Sequence, residues 1–315
     1  MQKLKPASLV LLMLLILTAC SESTAPLELE PNTINNPLET AISVTDFAGN
    51  TIELSKPAQR IVALAPHIVE NAFSAGAGNQ LVGVVSYSDY PEAAKSLPIV
   101  GGYQKTNLEK ILELRPSLIV AWQSGNSQGS IQRLQELGFT VYIDQADSLK
   151  DVAKSILDIG ILSGHTEHAT RIANEYLAEL AEIQKDNQDK QKVSSFYQVW
   201  NSPLQTIGGD HIISNAIEIC GGTNIYADEF AVAPIINIES ILQRDPTVII
   251  ASGMSEARPK WLSDWLKWPS LTAVQQNNLF FVNPNHIQRH TIRLLRGIAT
   301  ICKQLDMARE KNAQP

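Results

Sequence analysis

Two patterns of apolar residues alternate through the first half of the chain after residue 43. Continuous apolar runs of strand length lie at 60–65, 81–85, 118–122 and 139–143. Between them, apolar residues spaced three and four apart indicate helices at 68–75, 108–114, 130–137 and 149–162. Strands that alternate with helices predict an α/β lobe with a mainly parallel sheet.

The last third of the chain repeats this arrangement. Apolar runs predict strands at 195–200, 248–251 and 279–282. Helical spacing predicts helices at 213–220, 238–244, 261–268 and 292–307. Residues 44–54 alternate around Gly49-Asn50 and predict a β-hairpin in front of the first lobe.

A longer amphipathic segment separates the two halves. Apolar residues recur at helical spacing from His165 to about Asn187, which predicts a helix about 35 Å long. The predicted fold is therefore α/β, with two Rossmann-like lobes bridged by a single long α-helix. The predicted divisions are an N-terminal lobe at 43–163, the bridging helix at 164–190 and a C-terminal lobe at 191–315.

A fifteen-residue stretch occurs once in each predicted lobe, at 107–121 and at 237–251. The two copies are identical at seven positions, and they carry Glu109 and Glu239 at equivalent places near a helix start. A two-fold symmetric partner is the natural receptor for such a matched pair of carboxylates. The alternative is that both are solvated residues that favour the N-terminal end of a helix dipole.

The first residues form a targeting segment rather than part of the fold. Lys3 and Lys5 precede an apolar run at 9–17, too short to span a bilayer comfortably, that ends in Leu-Thr-Ala-Cys. This ending resembles the lipobox of bacterial lipoproteins, so 1–19 is predicted to be a lipoprotein signal peptide and Cys20 to carry a lipid. An ordinary signal peptide with an incidental cysteine is the alternative. Residues 20–42 have the composition of a flexible tether.

Charge and cysteine content narrow the class of protein. A formal net charge of −7 disfavours nucleic-acid binding, and nothing after the targeting segment reads as a membrane span. With Cys20 lipidated, Cys220 and Cys302 remain as a pair in an oxidising compartment, and we predict a disulfide between them. Two separate buried thiols are the alternative.

Two short motifs raise the possibility of catalytic or metal chemistry. Residues 125–129, Gly-Asn-Ser-Gln-Gly, match the nucleophile elbow of serine esterases, for which Asp264 and a downstream histidine would complete a triad. A polar turn that caps the next helix explains the same residues. His286 and His290 are four apart, as zinc ligands sometimes are, but no carboxylate cluster accompanies them. We therefore predict neither a catalytic site nor a metal site.

Aromatic residues follow several predicted strands of the first lobe. Tyr87 and Tyr90 follow one strand, Trp122 ends another, and Tyr103 lies in a glycine turn. Because ligands of α/β sheets bind beyond the carboxyl ends of the strands, these side chains indicate a site for a large, partly apolar ligand.

Several segments between residue 43 and about residue 305 carry a family resemblance. They are Arg60-Ile-Val-Ala-Leu-Ala-Pro66, Val85-Ser-Tyr-Ser-Asp-Tyr-Pro91, Asn107-Leu-Glu-Lys-Ile111, Ala121-Trp122, Glu218-Ile-Cys-Gly-Gly222 and Arg289-His-Thr-Ile-Arg293. With them the chain resembles the cluster-III substrate-binding proteins of ABC importers, most closely those that bind cobalamin. The resemblance implies a ligand cleft between two bridged lobes and no enzymatic activity.

The resemblance also implies roles for individual residues. It implies contacts with a corrinoid, cobalamin, for Tyr87, Tyr103, Trp122, Asn285 and Arg289. It implies that Glu109 and Glu239 dock on arginines of a permease dimer, which works with ATPase subunits, and it implies the Cys220–Cys302 disulfide. The protein would be a monomer in the periplasm or at the cell surface, attached to the membrane only through the lipid on Cys20.

Three positions depart from the pattern of the cobalamin-binding proteins. This chain has Tyr103 and Ala233 where those proteins have Trp, and Asn285 where they have Asp. Haem or a ferric siderophore is therefore the alternative ligand, and for haem Tyr87 or a histidine would be the axial ligand. The stiff bridging helix predicts only small movement of the lobes on binding.

Overall fold

The computed structural model describes residues 42–102, 104–253 and 256–312, without the side chain of residue 312. The predicted signal peptide, Cys20, the predicted tether up to residue 41 and Tyr103 lie outside these residues. The described chain begins with the predicted hairpin, formed by β1 (Ile42–Thr45) and β2 (Thr51–Leu54).

The first lobe is built on a four-stranded parallel sheet. Its strands are β3 (Ile61–Ala63), β4 (Leu81–Val84), β5 (Leu118–Trp122) and β6 (Val141–Asp144), in the order β4-β3-β5-β6. Its helices are α1 (Pro66–Ser74), α2 (Leu108–Leu114), α3 (Gln128–Glu136) and α4 (Asp151–Ser163). The central strands are almost wholly buried, as expected for a parallel sheet covered on both faces.

Helix α5 (Thr166–Asn187) is the predicted bridging helix, and it packs closely on the first lobe. A Cβ added to Gly160 in α4 would lie 2.1 Å from the Cβ of Ala169 in α5, so the approach requires glycine. Tyr176 in α5 also donates a hydrogen bond to the carbonyl of Leu149 at 2.8 Å.

The second lobe contains a second parallel sheet of four strands. Its chain begins with β7 (Val193–Gln198), followed by the small antiparallel pair β8 (Trp200–Asn201) and β9 (Leu204–Gln205). The remaining strands are β10 (Gly222–Asn224), β11 (Val248–Ala251) and β12 (Leu279–Phe281), and the sheet order is β10-β7-β11-β12. The helices are α6 (Ile212–Ile219), α7 (Ile238–Arg244), α8 (Thr272–Gln275), α9 (Pro284–Ile287) and α10 (Leu294–Asn312).

The predicted fold class is confirmed, and the strands that were missed are short elements of the second lobe. Strand β10 and the β8–β9 pair were not predicted, because runs of two or three residues carry no usable periodicity. The predicted helix at 261–268 is a 3₁₀ helix, Lys260–Lys267, confined between Pro259 and Pro269. Its tryptophans pack against the core of the second lobe, and Trp265 is buried.

The predicted disulfide is confirmed. Cys220 at the end of α6 is bonded to Cys302 in α10, across a sequence separation of 82 residues, with Cα atoms 4.6 Å apart. The alternative of two separate thiols is therefore wrong.

The largest core is shared by the two lobes. One cluster of buried apolar side chains includes Val44 in β1, Ile156 in α4, Leu180 in α5 and Ile298 in α10. Because this core crosses the predicted lobe boundaries, those boundaries remain predictions.

Candidate ligand-binding site

A cavity of about 480 Å³ lies between the two lobes. The first lobe lines it with residues at and just after the ends of β5 and β6: Trp122, Ser124, Gln145, Ala146 and Asp147. The second lobe contributes mainly aliphatic side chains, among them Val199, Ile207, Ile213, Val232 and Ala233. This is the place where α/β sheets bind ligands, and the volume is typical of small-molecule pockets, roughly 300–1,000 Å³.

Trp122 is a fixed aromatic platform in the wall of this cavity. An added Cβ at Gly125 would lie 1.8 Å from Trp122 Cε3, so the ring covers the turn only because residue 125 is glycine. The side chain of Asn126 accepts a hydrogen bond from the Trp122 amide at 2.6 Å and donates to the carbonyl of Leu64 at 2.9 Å. His67 packs edge-on against the ring, with centroids 5.1 Å apart.

The same turn accounts for the Gly-x-Ser-x-Gly pattern without a nucleophile. Gly125 makes room for an aromatic ring, Asn126 is buried and fixes the turn, and Ser127 is an exposed residue in front of α3. Gly125 and Asn126 therefore help to hold the Trp122 ring in place.

A group of paired charges, partly buried, joins the two lobes. Glu70 in α1 is only 2% exposed and accepts hydrogen bonds from Arg289 at 2.9 Å and from Arg293 at 2.6 and 2.8 Å. Asp89 accepts a further hydrogen bond from Arg289 at 2.7 Å. Burial raises the pKa of Asp89, but the hydrogen bond and charge of Arg289 outweigh it and leave the pKa below its ordinary value. Two carboxylates thus face two guanidinium groups in a well-paired arrangement.

Tyr87 lies in the turn after β4, and its side chain is 78% exposed. Its φ of +67° is uncommon for an aromatic residue. Arg289 donates a hydrogen bond to the Tyr87 carbonyl at 3.3 Å and so helps to hold this conformation. Residues held in uncommon backbone conformations cluster at functional sites, and Tyr87 combines such a conformation with an exposed ring.

The five ligand contacts implied by the family resemblance are therefore only partly brought together. Trp122 lines the cavity, and Tyr87 and Arg289 contact each other outside its lining. Asn285 in α9 also lies outside the lining and donates a hydrogen bond to Glu256 at 2.6 Å. Tyr103 is not among the described residues.

Two neutral histidines line the cavity. Nδ1 of His211 accepts a hydrogen bond from the Ile213 amide at 3.0 Å. Burial lowers the pKa of His211 to about 4, against the opposing charge of Asp147. Burial, with smaller contributions from His67 and His211, lowers the pKa of His290 to about 3. Both rings are therefore uncharged near pH 7.

This polar part of the lining was not predicted from the sequence. Gln145 and Asp147 lie within three residues of the end of β6, so the strand-end rule that selected the aromatics would also have selected them. Asp210 and His211 lie across the cavity, and nothing in the local sequence indicates that they meet the first lobe.

The two copies of the repeat have the same local structure. Asn107 and Asn237 cap α2 and α7, each accepting a hydrogen bond from the amide three residues later, at 3.1 and 2.8 Å. Both helices end in a left-handed residue, Arg115 with φ +46° and Asp245 with φ +39°.

Glu109 and Glu239 occupy the second position of α2 and α7, respectively. Both side chains are exposed. Each lobe therefore presents one carboxylate at an equivalent point of an equivalent helix.

Among the described residues, no helix combines the length and apolar character needed to cross a bilayer. No group of three or more His, Cys, Asp or Glu side chains in those residues is arranged to hold a metal ion. Helix α9 ends at Ile287, so His286 and His290 do not share the helical face that the zinc hypothesis requires.

The fold and the cleft match a known class of protein. Residues 61–285 fit the family described as Periplasmic binding protein. A vitamin B12-binding protein of Vibrio cholerae is 35% identical over 256 residues, which cover 81% of this chain and 92% of that protein. The chain belongs to the periplasmic binding protein family. Because this is a family of binding proteins, the esterase hypothesis is wrong.

Solved structures of periplasmic binding proteins show the same architecture. The crystal structure of the periplasmic vitamin B12-binding protein of V. cholerae has a TM-score of 0.75 and 34% identity, and it covers 81% of this chain and 99% of its own. A periplasmic haem-binding protein from a Roseiflexus species has a TM-score of 0.69 at 21% identity, with 80% and 99% covered. The second likeness is one of fold alone.

Proposed function

We propose that this chain is a substrate-binding protein that captures a corrinoid, cobalamin, outside the cytoplasm and delivers it to an ABC importer. The observation that carries the proposal is the fixed Trp122 platform in a cavity between two lobes. It occurs in a chain that is 35% identical to a vitamin B12-binding protein over most of both sequences. Capture and delivery make and break no covalent bond.

The walls of the cavity suit a flat, partly apolar ring with a polar edge. The face of Trp122 lies on one side, and aliphatic side chains such as Ile207 and Val232 lie on the other. Gln145 and His211 supply polar groups at the edge. A whole cobalamin is larger than the cavity, so part of the ligand would extend past the lining towards Tyr87, which is exposed.

Arg289 would act chiefly by holding other groups in place. Its guanidinium is already bound to Glu70, Asp89 and the Tyr87 carbonyl. The exposed ring of Tyr87 would then contact the ligand, and Asn285 and Tyr103 complete the proposed set of contacts.

The loop that contains Ala233 would compensate for the absence of a large aromatic at that position. Val232 and Ala233 line the cavity, and Phe230 on the same loop is 98% exposed. The loop backbone is held in place, since the Val232 carbonyl accepts a hydrogen bond from the Gly208 amide at 3.1 Å. We propose that these apolar side chains cover the ligand from the second lobe.

Calorimetric titration with cyanocobalamin tests the proposal. The protein would be residues 20–315 with Cys20→Ala, which leaves out only the predicted signal peptide. We expect a nanomolar Kd, about −12 kcal/mol, and a loss of at least about tenfold for Trp122→Ala. No binding of cyanocobalamin together with tight binding of haemin or a ferric siderophore would replace the corrinoid by the alternative ligand and leave the family intact.

We also propose that Glu109 and Glu239 dock the protein on the permease dimer of the importer, whose ATPase subunits drive transport. Their equivalent positions and exposure support this role. A monomer with one carboxylate on each lobe would meet one arginine-bearing site on each half of a two-fold permease.

Anchoring through Cys20 completes the proposal. A lipid on Cys20 and the tether that follows would hold the protein at a membrane surface, in the periplasm or at the cell surface. Mass spectrometry of the protein extracted from membranes should find a diacylglycerol on an N-terminal Cys20. A mature chain that begins elsewhere and is found only in the soluble fraction would contradict the anchor.

A further inference from the structure

The charged groups that line the cavity are all acidic. Asp147 from the first lobe and Asp210 from the second lie on its walls, and both side chains are exposed. Among the described residues that line the cavity, none is lysine or arginine. A bound ligand would therefore meet one carboxylate on each wall and no side-chain cation in the lining.

The guanidinium groups of the neighbouring segment do not offset these carboxylates. Arg289 is bound to Glu70 and Asp89, and Arg293 is bound to Glu70 as well. Since the paired groups carry equal and opposite charge, they contribute little net field at the cavity.

The histidines of the lining add no positive charge either. Burial lowers the pKa of His211 to about 4 and that of His290 to about 3. Because Nδ1 of His211 accepts a hydrogen bond from a backbone amide, the neutral ring carries its proton on Nε2. His211 is therefore an uncharged donor in the same lining as two charged acceptors, Asp147 and Asp210.

We propose that this cavity selects corrinoids whose peripheral side chains are intact, uncharged amides, and that it discriminates against ligands with free carboxylates. This inference rests on the proposed corrinoid function. Asp147 and Asp210 would each accept a hydrogen bond from an amide NH₂ group of the ligand. The anionic ligands that the same rule disfavours include haem, with its two propionates, and corrinoids in which an amide has been hydrolysed.

The chemical difference between amide and acid makes this selection sharp. An amide can donate to a carboxylate, whereas an ionised carboxylate is only an acceptor and repels it. Replacing one amide by an acid thus removes a charge-assisted hydrogen bond and adds a like-charge contact. The charge of Asp147 acts on the ring of His211 on the opposite wall, although burial dominates the pKa of that ring.

The experiment compares the Kd of cyanocobalamin with that of its monocarboxylic acid, made by hydrolysis of one peripheral propionamide. In the unaltered protein we expect the acid to bind about thirtyfold more weakly at low ionic strength. In the variant Asp147→Asn/Asp210→Asn we expect the affinity for the amide form to fall about threefold and the affinity for the acid to rise. The ratio of the two Kd values should then be about threefold or less. Added salt should lower the ratio of the two Kd values in the unaltered protein but not in the variant.

The variant Asp186→Asn/Asp189→Asn is the matched control. It removes the same amount of charge from exposed positions at the end of the bridging helix, outside the cavity lining, and should keep the thirtyfold ratio. Equal affinity for acid and amide in the unaltered protein would overturn this inference while leaving corrinoid binding intact. An unchanged ratio in the Asp147→Asn/Asp210→Asn variant would also overturn it. If the protein bound neither corrinoid, the result would instead contradict the proposed corrinoid function on which the inference rests.

Discussion

The two copies of the repeat share their local structure and differ in what holds them in place. Both have an asparagine cap, an exposed glutamate at the second helical position and a left-handed end, followed by a buried strand. In the first copy, the end of α2 is held by the residue just before β3, because the guanidinium of Arg60 donates to the Leu114 carbonyl at 2.9 Å.

The second copy is fixed by other elements. The carboxylate of Asp245 accepts hydrogen bonds from the amide and the hydroxyl of Thr272, at 2.8 and 2.7 Å, and so caps α8. The hydroxyl of Tyr226 donates to Ser240 in α7 at 2.9 Å. Local sequence therefore sets the shape of the unit, and each lobe supplies its own long-range contacts.

The largest expected effect concerns the feature that the copies share most closely. Replacing both exposed carboxylates, Glu109→Ala/Glu239→Ala, should reduce cobalamin uptake by about tenfold or more, because both charge-assisted contacts with the permease are lost. The Kd for the ligand should stay the same, since neither residue lines the cavity. Uptake by cells and calorimetry of the purified variant measure the two quantities.

The control for this experiment removes the same charge elsewhere. Glu113→Ala/Glu218→Ala changes two other exposed glutamates, one in each lobe, and should transport normally. Docking at equivalent sites also requires that the two single variants, Glu109→Ala and Glu239→Ala, be impaired to a similar degree. Normal uptake by the double variant, or a matching loss of ligand affinity, would rule the docking role out.

The disulfide is a stabilising link that only the second lobe has, because the sequence places no cysteine in the first one. In the Cys20→Ala background, Cys220→Ala/Cys302→Ala should lower the free energy of unfolding by about 4 kcal/mol, the cost of freeing a long loop in the unfolded chain. Urea denaturation measures the change. The unmutated pair treated with a reductant should show the same loss, and a difference below about 1 kcal/mol would show that the bond contributes little.

The smallest expected effect tests the equivalence of the two caps. Asn107→Ala and Asn237→Ala should each lower the free energy of unfolding by about 1 kcal/mol, because each leaves a helical amide without its acceptor. Asn107→Asp and Asn237→Asp keep an acceptor and should restore most of the loss. Clearly unequal losses for the two alanine variants, measured by urea denaturation, would mean that long-range contacts decide the strength of each cap.

Elements with strong local signals were predicted to within a residue or two. The bounds of α2, β5, α7 and β11 are the predicted ones, because an asparagine start, a proline after the helix and an apolar run mark each unit. The place of Trp122 in the cavity lining also follows from a local signal, its position at the end of a strand, and its contact with the ligand stays a prediction.

The rest of the site depends on residues that meet only when the chain folds. Glu70 was not predicted as a partner of Arg289, since nothing near either residue indicates that α1 packs against the segment before α10. Asp210 and His211 reach the cavity for the same kind of reason. Their roles follow from burial and charge in three dimensions, which the pattern along the chain does not contain.

The shared core has a consequence for how the protein loses its structure. Smaller apolar clusters belong to one lobe each, but the largest runs from the first lobe through the bridging helix into α10. Unfolding of either lobe alone would expose part of the interior of the other to water, at a cost that grows with the apolar area uncovered. The two lobes should therefore melt together in one cooperative transition, although in shape they look like separate domains.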